Sequence, residues 1–171
     1  MTLPPGSDAK TVYPPIEKCI ELDVLPETIW QIIATPGGLP RYHPLVDTNI
    51  PLRWDANKAA DMLKYFSGLT LYRQVYSWLD GEGYDLVIGQ SLDSPDGIVS
   101  WRISSLETDR SQFRISLSLI KHKGSTGQKA ATRDRFERYL DSIVKGIAHL
   151  AVVGEPVRKD QFGAVEGFSR A

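Results

Sequence analysis

Arg41, Tyr42 and His43 stand side by side in the segment LPRYHPLV of this 171-residue chain. A cation, a phenol and an imidazole in consecutive positions could hold a carboxylate or phenolate, or move a proton, if a cavity opened beside them. The plainer alternative is a surface turn in which the tyrosine packs and the histidine caps or is solvated. Arg73 is the second residue of interest. It shares a strand parity with Leu69, Leu71, Val75 and Leu79. If that face is concave, the guanidinium is buried and needs an acid, since an unpaired buried charge is costly. A ligand carboxylate, Asp85 or another acid would serve. If the other face, with Tyr72, Tyr76 and Trp78, points inward, Arg73 is solvated and the inner face is aromatic and hydroxyl-bearing, which suits a planar ligand. Both placements stay open at this level. Other chemistries leave no pattern. The histidines, at positions 43, 122 and 149, have no metal-ligand spacing, and Cys19 is the single cysteine with no histidine near it. There is no G-x-S-x-G elbow, P-loop or dinucleotide glycine fingerprint. No metal and no cofactor is expected.

These residues need elements to position them. Ile16, Ile20, Leu22 and Val24 alternate with Glu17, Glu21 and Asp23, the period of a half-buried strand. Pro26 sits where a helix accepts its first residue, with Glu27 beside it. Ile29, Ile32 and Ile33 form a helical stripe flanked by Trp30, and Pro36-Gly37-Gly38 ends the helix before a short turn carries the Arg-Tyr-His run. Leu69 to Leu79, Tyr84 to Gln90, Ile98 to Leu106 and Phe113 to Leu119 read as strands separated by short turns, an antiparallel meander. Lys58 to Phe66 is ambiguous: Ala59, Ala60, Met62 and Leu63 favour helix, while Met62, Lys64 and Phe66 alternate. Lys121 to Lys129, including the basic run Lys121-His122-Lys123, is predicted to be a polar loop. A helix is predicted from Thr132 to Val153, with Phe136, Leu140, Ile143, Val144, Ile147 and Leu150 on one face. Gly154 and Pro156 end it. Strand, helix, meander and final helix make an α+β fold in which a sheet wraps a helix, a shape that leaves room for a cavity. The expected organisation is a flexible proline-rich leader at 1–15, one domain at 16–153 and a tail at 154–171 without clear period, either disordered or lying on a partner.

Composition narrows the function classes. Hydrophobic residues make up 42% and charged residues 24%, so one soluble domain with a substantial core is expected. A formal net charge of -1 argues against a nucleic-acid partner. No apolar run approaches the roughly 20 residues of a membrane span. The opening has no basic region followed by an apolar stretch, and one cysteine allows no intrachain disulfide, so the expected location is cytoplasmic. A homodimer is left open.

The opening strand, LPETIWQII, the Pro-Gly break and LPRYHPLV together resemble the start of the SRPBCC superfamily, which holds START-like domains, polyketide cyclase/dehydrase-like proteins and pollen-allergen-like carriers. The residues that carry the resemblance are Pro26, Ile29, Trp30, Tyr42, His43 and Pro44, with Tyr42 where many members have tryptophan. It covers about residues 16 to 153. It implies a helix-grip fold: a curved antiparallel sheet around a long C-terminal helix, with two short helices after the first strand. It also implies an internal cavity for an apolar or amphipathic molecule, lipid-like or aromatic. Tyr42, His43 or Arg73 would anchor the polar end, and Phe136, Leu140, Ile143 and Ile147 would form a wall, with Tyr72 and Trp101 as further lining. Trp30 and Trp101 otherwise read as core. The preferred reading is a binding protein rather than an enzyme. The alternatives are a cyclase, aromatase or dehydratase with His43 as acid/base beside Tyr42 or Arg73, and an interaction module that acts through its tail.

Overall fold

A computed structural model describes residues 14–120 and 126–170. Most of the predicted leader, and the first residues of the predicted polar loop, lie outside the described residues. The elements run β1 (Ile16–Leu22), α1 (Pro26–Ile33), β2 (Val46–Arg53), β3 (Ala60–Tyr65), β4 (Thr70–Leu79), β5 (Gly83–Gly89), β6 (Gly97–Glu107), β7 (Arg110–Leu119) and α2 (Thr126–Val153). Single 3-10 turns stand at Leu39–Arg41 and Ala56–Lys58. The seven strands form one antiparallel sheet in the order β1-β7-β6-β5-β4-β3-β2. The curved sheet wraps α2. Ile143, Ile147 and Leu140 of the helix share the core with Leu63, Leu86, Phe113 and Ile115 of the sheet.

Local chemistry explains the first elements. Pro26 presets the backbone at the start of α1, and Glu27 meets the positive end of the helix. Ile29 and Ile33 bury completely, while Ile32 stays half-buried. The end of α1 is tied down from the sheet: Tyr84 Oη donates to the Ile33 carbonyl at 3.0 Å and Trp54 Nε1 to the Ala34 carbonyl at 2.9 Å. These bonds satisfy carbonyls that a helix end otherwise leaves open. The Leu39–Arg41 turn follows, and Gly146 of α2 packs so closely on it that a Cβ there would lie 1.7 Å from the Tyr42 carbonyl oxygen.

Three expectations need correction. The stretch left open between helix and strand is strand β3, and its buried residues are Asp61, Leu63 and Tyr65, not the alternating set Met62, Lys64 and Phe66. An aspartate among the inward positions disguised the pattern. Helix α2 begins at Thr126, not Thr132. Its first turns are alanine-containing and exposed from Gly127 to Ala131 apart from half-buried Lys129. Propensity extends the helix there, before any apolar stripe begins. The tail folds back on the domain. Gly154, in the left-handed region at φ +80, ends α2 with its N–H on the Leu150 carbonyl at 3.0 Å. Val157 N–H then bonds the Arg41 carbonyl and Asp160 N–H the Pro44 carbonyl, each at 3.0 Å. The Ser67 N–H reaches the Phe168 carbonyl at 2.9 Å. Among the described residues, no helix is long and apolar enough to cross a membrane.

Candidate functional site

Strand β4 decides what the concave face contains. Leu69, Leu71, Arg73 and Val75 face inward, so Arg73 is buried at 5% exposure. A register shift between Val75 and Ser77 then turns the strand over, and Trp78 packs inside on Tyr84, ring centroids 5.5 Å apart. Tyr76 remains on the outer face with Val87, Ile98 and Ile120. Both parities predicted for this strand therefore face inward, one on each side of the bulge.

Arg73 finds its acid on the neighbouring strand. Its Nε donates to Asp61 Oδ1 at 2.8 Å and its Nη2 to Asp61 Oδ2 at 2.6 Å, a bidentate pair. Asn49 Nδ2 adds a third bond to Asp61 Oδ2 at 3.0 Å. Burial pulls the Arg73 pKa down, but the Asp61 carboxylate more than offsets it, so the guanidinium titrates above its ordinary value. Asp85, the other acid considered, sits on the outer face and pairs with Arg102 at 2.8 Å.

The Arg-Tyr-His run splits. Arg41 is exposed, while Tyr42 and His43 are each only 1% exposed. They are not a surface turn, and they lie deeper than a cavity lip. Tyr42 meets Trp101 edge-on with centroids 6.3 Å apart and lies beside Tyr84. The His43 ring sits edge-on to Tyr139 at 5.1 Å and Tyr65 at 5.9 Å. Neither ring nitrogen has a hydrogen-bond partner among the described residues. Burial first, and Arg73 second, lower its pKa to about 3, so it is neutral. Tyr65 and Tyr139 share a hydroxyl–hydroxyl bond of 2.6 Å. Burial raises the pKa of Tyr42 and Tyr65 and pushes Tyr84 and Tyr139 up to about 12, so all four phenols stay protonated.

Two neighbouring spaces adjoin this cluster. The inner one, about 20 Å³, is lined by His43, Arg73, Trp101, Tyr139 and Ile143 among others. It has room for roughly one water-sized group. Trp101 lines it, and its indole Nε1 is buried without a partner among the described residues. The outer cavity holds about 310 Å³. Its walls are mostly apolar, with Leu69 just before β4, Leu71 of β4, Leu117 and Leu119 of β7, Phe136 of α2 and Phe168 of the tail, and Gln90, Asp96 and Arg135 add polar groups. Ile88, Val99 and Tyr139 line both spaces, so the two lie against each other.

Of the predicted lining residues, His43, Arg73, Trp101 and Ile143 meet at the inner space and Phe136 lines the outer one. Tyr42 is buried against Trp101 without lining either. Leu140 and Ile147 are core residues at 0% exposure and line neither space. Tyr72, next to inward-facing Arg73, projects from the other face of β4. His149 of α2 contacts the tail, with its Nδ1 3.3 Å from Gln161 Nε2. The prediction missed Asp61, Tyr139, Arg135 and Phe168. Asp61 could have been found from its parity with Leu63 and Tyr65. Phe168 carries no periodic signal at all.

No family model and no curated protein matches the chain. Solved structures do. A START superfamily protein from Mycobacterium smegmatis aligns with a TM-score of 0.64 at 14% identity, covering 81% of this chain and 97% of that one. The Zhui aromatase/cyclase from Streptomyces sp. R1128 aligns with a TM-score of 0.65 at 13% identity, over 81% and 93% of the two chains. Ara h 8.0201 aligns with a TM-score of 0.63 at 11% identity, over 81% and 97%. The fold is the one these structures share, a curved antiparallel sheet gripping a long C-terminal helix, the helix-grip fold that the sequence resemblance implied.

Proposed function

We propose that this chain binds an apolar or amphipathic small molecule in the cavity between the sheet and α2. The observation that carries the proposal is a largely apolar cavity of about 310 Å³ that adjoins an inner space lined by His43 and Trp101, whose side-chain nitrogens are buried without a partner among the described residues. Ligand sites combine an apolar wall with a few convergent polar groups, and their volumes begin near 300 Å³. The apolar body of a ligand gains about 25 cal/mol per Å² buried, before ordering costs. A carbonyl or hydroxyl at the inner end would satisfy the indole N–H and the neutral imidazole. The cyclase, aromatase or dehydratase reading draws on the same imidazole, but Arg73 is already held by Asp61 and is less available to polarise a carbonyl.

Native mass spectrometry of freshly purified protein, joined to titration with the neutral dye Nile red, tests this. Co-purified small molecules or saturable dye binding are expected. A protein that carries nothing and gives no saturable dye signal ends the proposal. If a polyketide-like substrate is turned over and His43→Ala abolishes the turnover, the enzymatic reading replaces simple binding.

A further inference from the structure

The outer cavity is lined by a cation that has no ion-pair partner among the described residues. Arg135 of α2 lines it, with its guanidinium carbon 5.3 Å from the Phe136 ring centroid and 6.0 Å from that of Phe168. Two aromatic rings therefore hold the guanidinium in place. The arginines on either side in α2 are paired, Arg133 with Glu137 and Arg138 with Asp134. Arg135 has no ion pair among the described residues, and its buried Nε has no hydrogen-bond partner there. The acid on the same lining, Asp96, accepts instead from the Gln90 backbone N–H at 3.3 Å. The tail approaches closely at Gly167, where a Cβ would lie 3.5 Å from Arg135 Nη1.

We infer that Arg135 is the head-group residue for an amphipathic carboxylic acid. Its fork would take the carboxylate, and the apolar body would run inward past Phe136 and Val99 toward Trp101 and His43. A planar two-oxygen anion matches the guanidinium fork, and the aromatic seat leaves that fork pre-organised. A neutral ligand of the same shape leaves the cation unpaired, and a cationic head group is repelled. This inference rests on the ligand-binding reading and adds the charge and direction of the ligand.

The test is displacement of Nile red by decanoic acid, methyl decanoate and decylamine at pH 8, on wild-type protein and on Arg135→Gln, Arg135→Lys and Asp96→Asn. The acid is expected to displace the dye at concentrations about ten-fold lower than the ester, with the amine weakest. In Arg135→Gln the acid-to-ester ratio falls to near one, and Arg135→Lys is intermediate. Asp96→Asn, which removes the competing negative charge, strengthens the acid further. Equal displacement by acid and ester in wild-type protein overturns the inference, and so does an acid preference that persists in Arg135→Gln. In both cases saturable dye binding leaves the cavity reading standing. If neither dye nor competitors bind, both readings fall. Should Arg135→Gln not fold, the wild-type ratio and its response to Asp96→Asn decide.

Discussion

Replacing Asp61 with asparagine isolates the buried ion pair between β3 and β4. The Arg73 and Asp61 side chains are 7% and 1% exposed, and the carboxylate takes both guanidinium bonds plus one from Asn49. Asparagine keeps the shape but removes the charge. One of its two terminal atoms becomes an amide donor facing a guanidinium donor, so a bond becomes a repulsion. Breaking a buried pair from one side costs about 3–5 kcal/mol, because the surviving charge stays buried without compensation. For a chain of this length each kcal/mol shifts Tm by about 2–4 °C, so a drop of roughly 6–20 °C is expected. Urea denaturation suits the assay because it adds no ions, and the m-value must match wild type for the comparison to hold. The double variant Asp61→Leu/Arg73→Met removes both charges at similar volume. It should recover most of the loss or exceed wild type, since such swaps are often neutral or stabilising. A cost below about 1 kcal/mol for Asp61→Asn would refute the reasoning. So would a double variant as unstable as the single, which would mean that the polar pair organises the strands rather than merely cancelling its own burial.

His43 supplies a pH dependence. Its pKa is lowered to about 3 in the fold, whereas an unfolded histidine titrates near 6.5. The unfolded chain thus gains a proton that the folded chain refuses, so the stability from neutral His43 is complete above about pH 6.5 and is lost as pH falls toward 3. Between pH 7.5 and 5 the wild type should lose about 2 kcal/mol through this residue. Urea unfolding of His43→Leu should show a pH loss smaller by that amount, and parallel losses would count against a buried neutral imidazole. Gly146→Ala ordinarily favours a helix by about 1 kcal/mol. Here the added Cβ meets the Tyr42 carbonyl, so a destabilisation of about 1–3 kcal/mol is expected, and a raised melting temperature would contradict the close approach. Phe168→Ala removes a ring 4.5 Å from Tyr139 and should cost about 3–5 kcal/mol. Trypsin should then cut faster at Arg158 and Lys159, and an unchanged cleavage rate would show that the tail is held by its backbone bonds alone.

Regular elements were legible where one physical rule governed a whole stretch. The Pro26 start, the Ile29 and Ile33 stripe, and the alternation of Val99, Trp101 and Ile103 each express a single periodicity, and each was read to within a few residues. Readings failed where two rules met. Strand β4 obeys one parity up to Val75 and the other from Trp78, because a single bulge residue shifts every later side chain to the opposite face. No choice of one parity could be right for the whole strand. In β3 the inward set includes Asp61, which hydropathy scores as outward. Only its pairing with Arg73, directly opposite across the ladder, makes its burial tolerable. Either residue alone argues for solvent; the two together argue for the core, and sequence spacing does not reveal that they are partners.

The tail shows a different limit. Residues 154–170 have no period because they form no long element. Their anchors are backbone N–H groups on the carbonyls of Arg41 and Pro44, and carbonyls of Gly167 and Phe168 that accept from Ser67. Such bonds leave no trace in side-chain chemistry, so among the tail's described apolar residues Val165 and Phe168, at 2% and 5% exposure, were the ones able to signal the contact. The consequence is functional. The tail holds the Leu39–Arg41 turn at one end and lines the outer cavity at the other, so it is part of the wall that any ligand would meet. Deleting it therefore cannot separate a partner-binding role from a ligand-binding one. Substitutions on its exposed positions, such as Glu155, Arg158 and Glu166, can, because they change the outward face while leaving Phe168 and the backbone anchors in place.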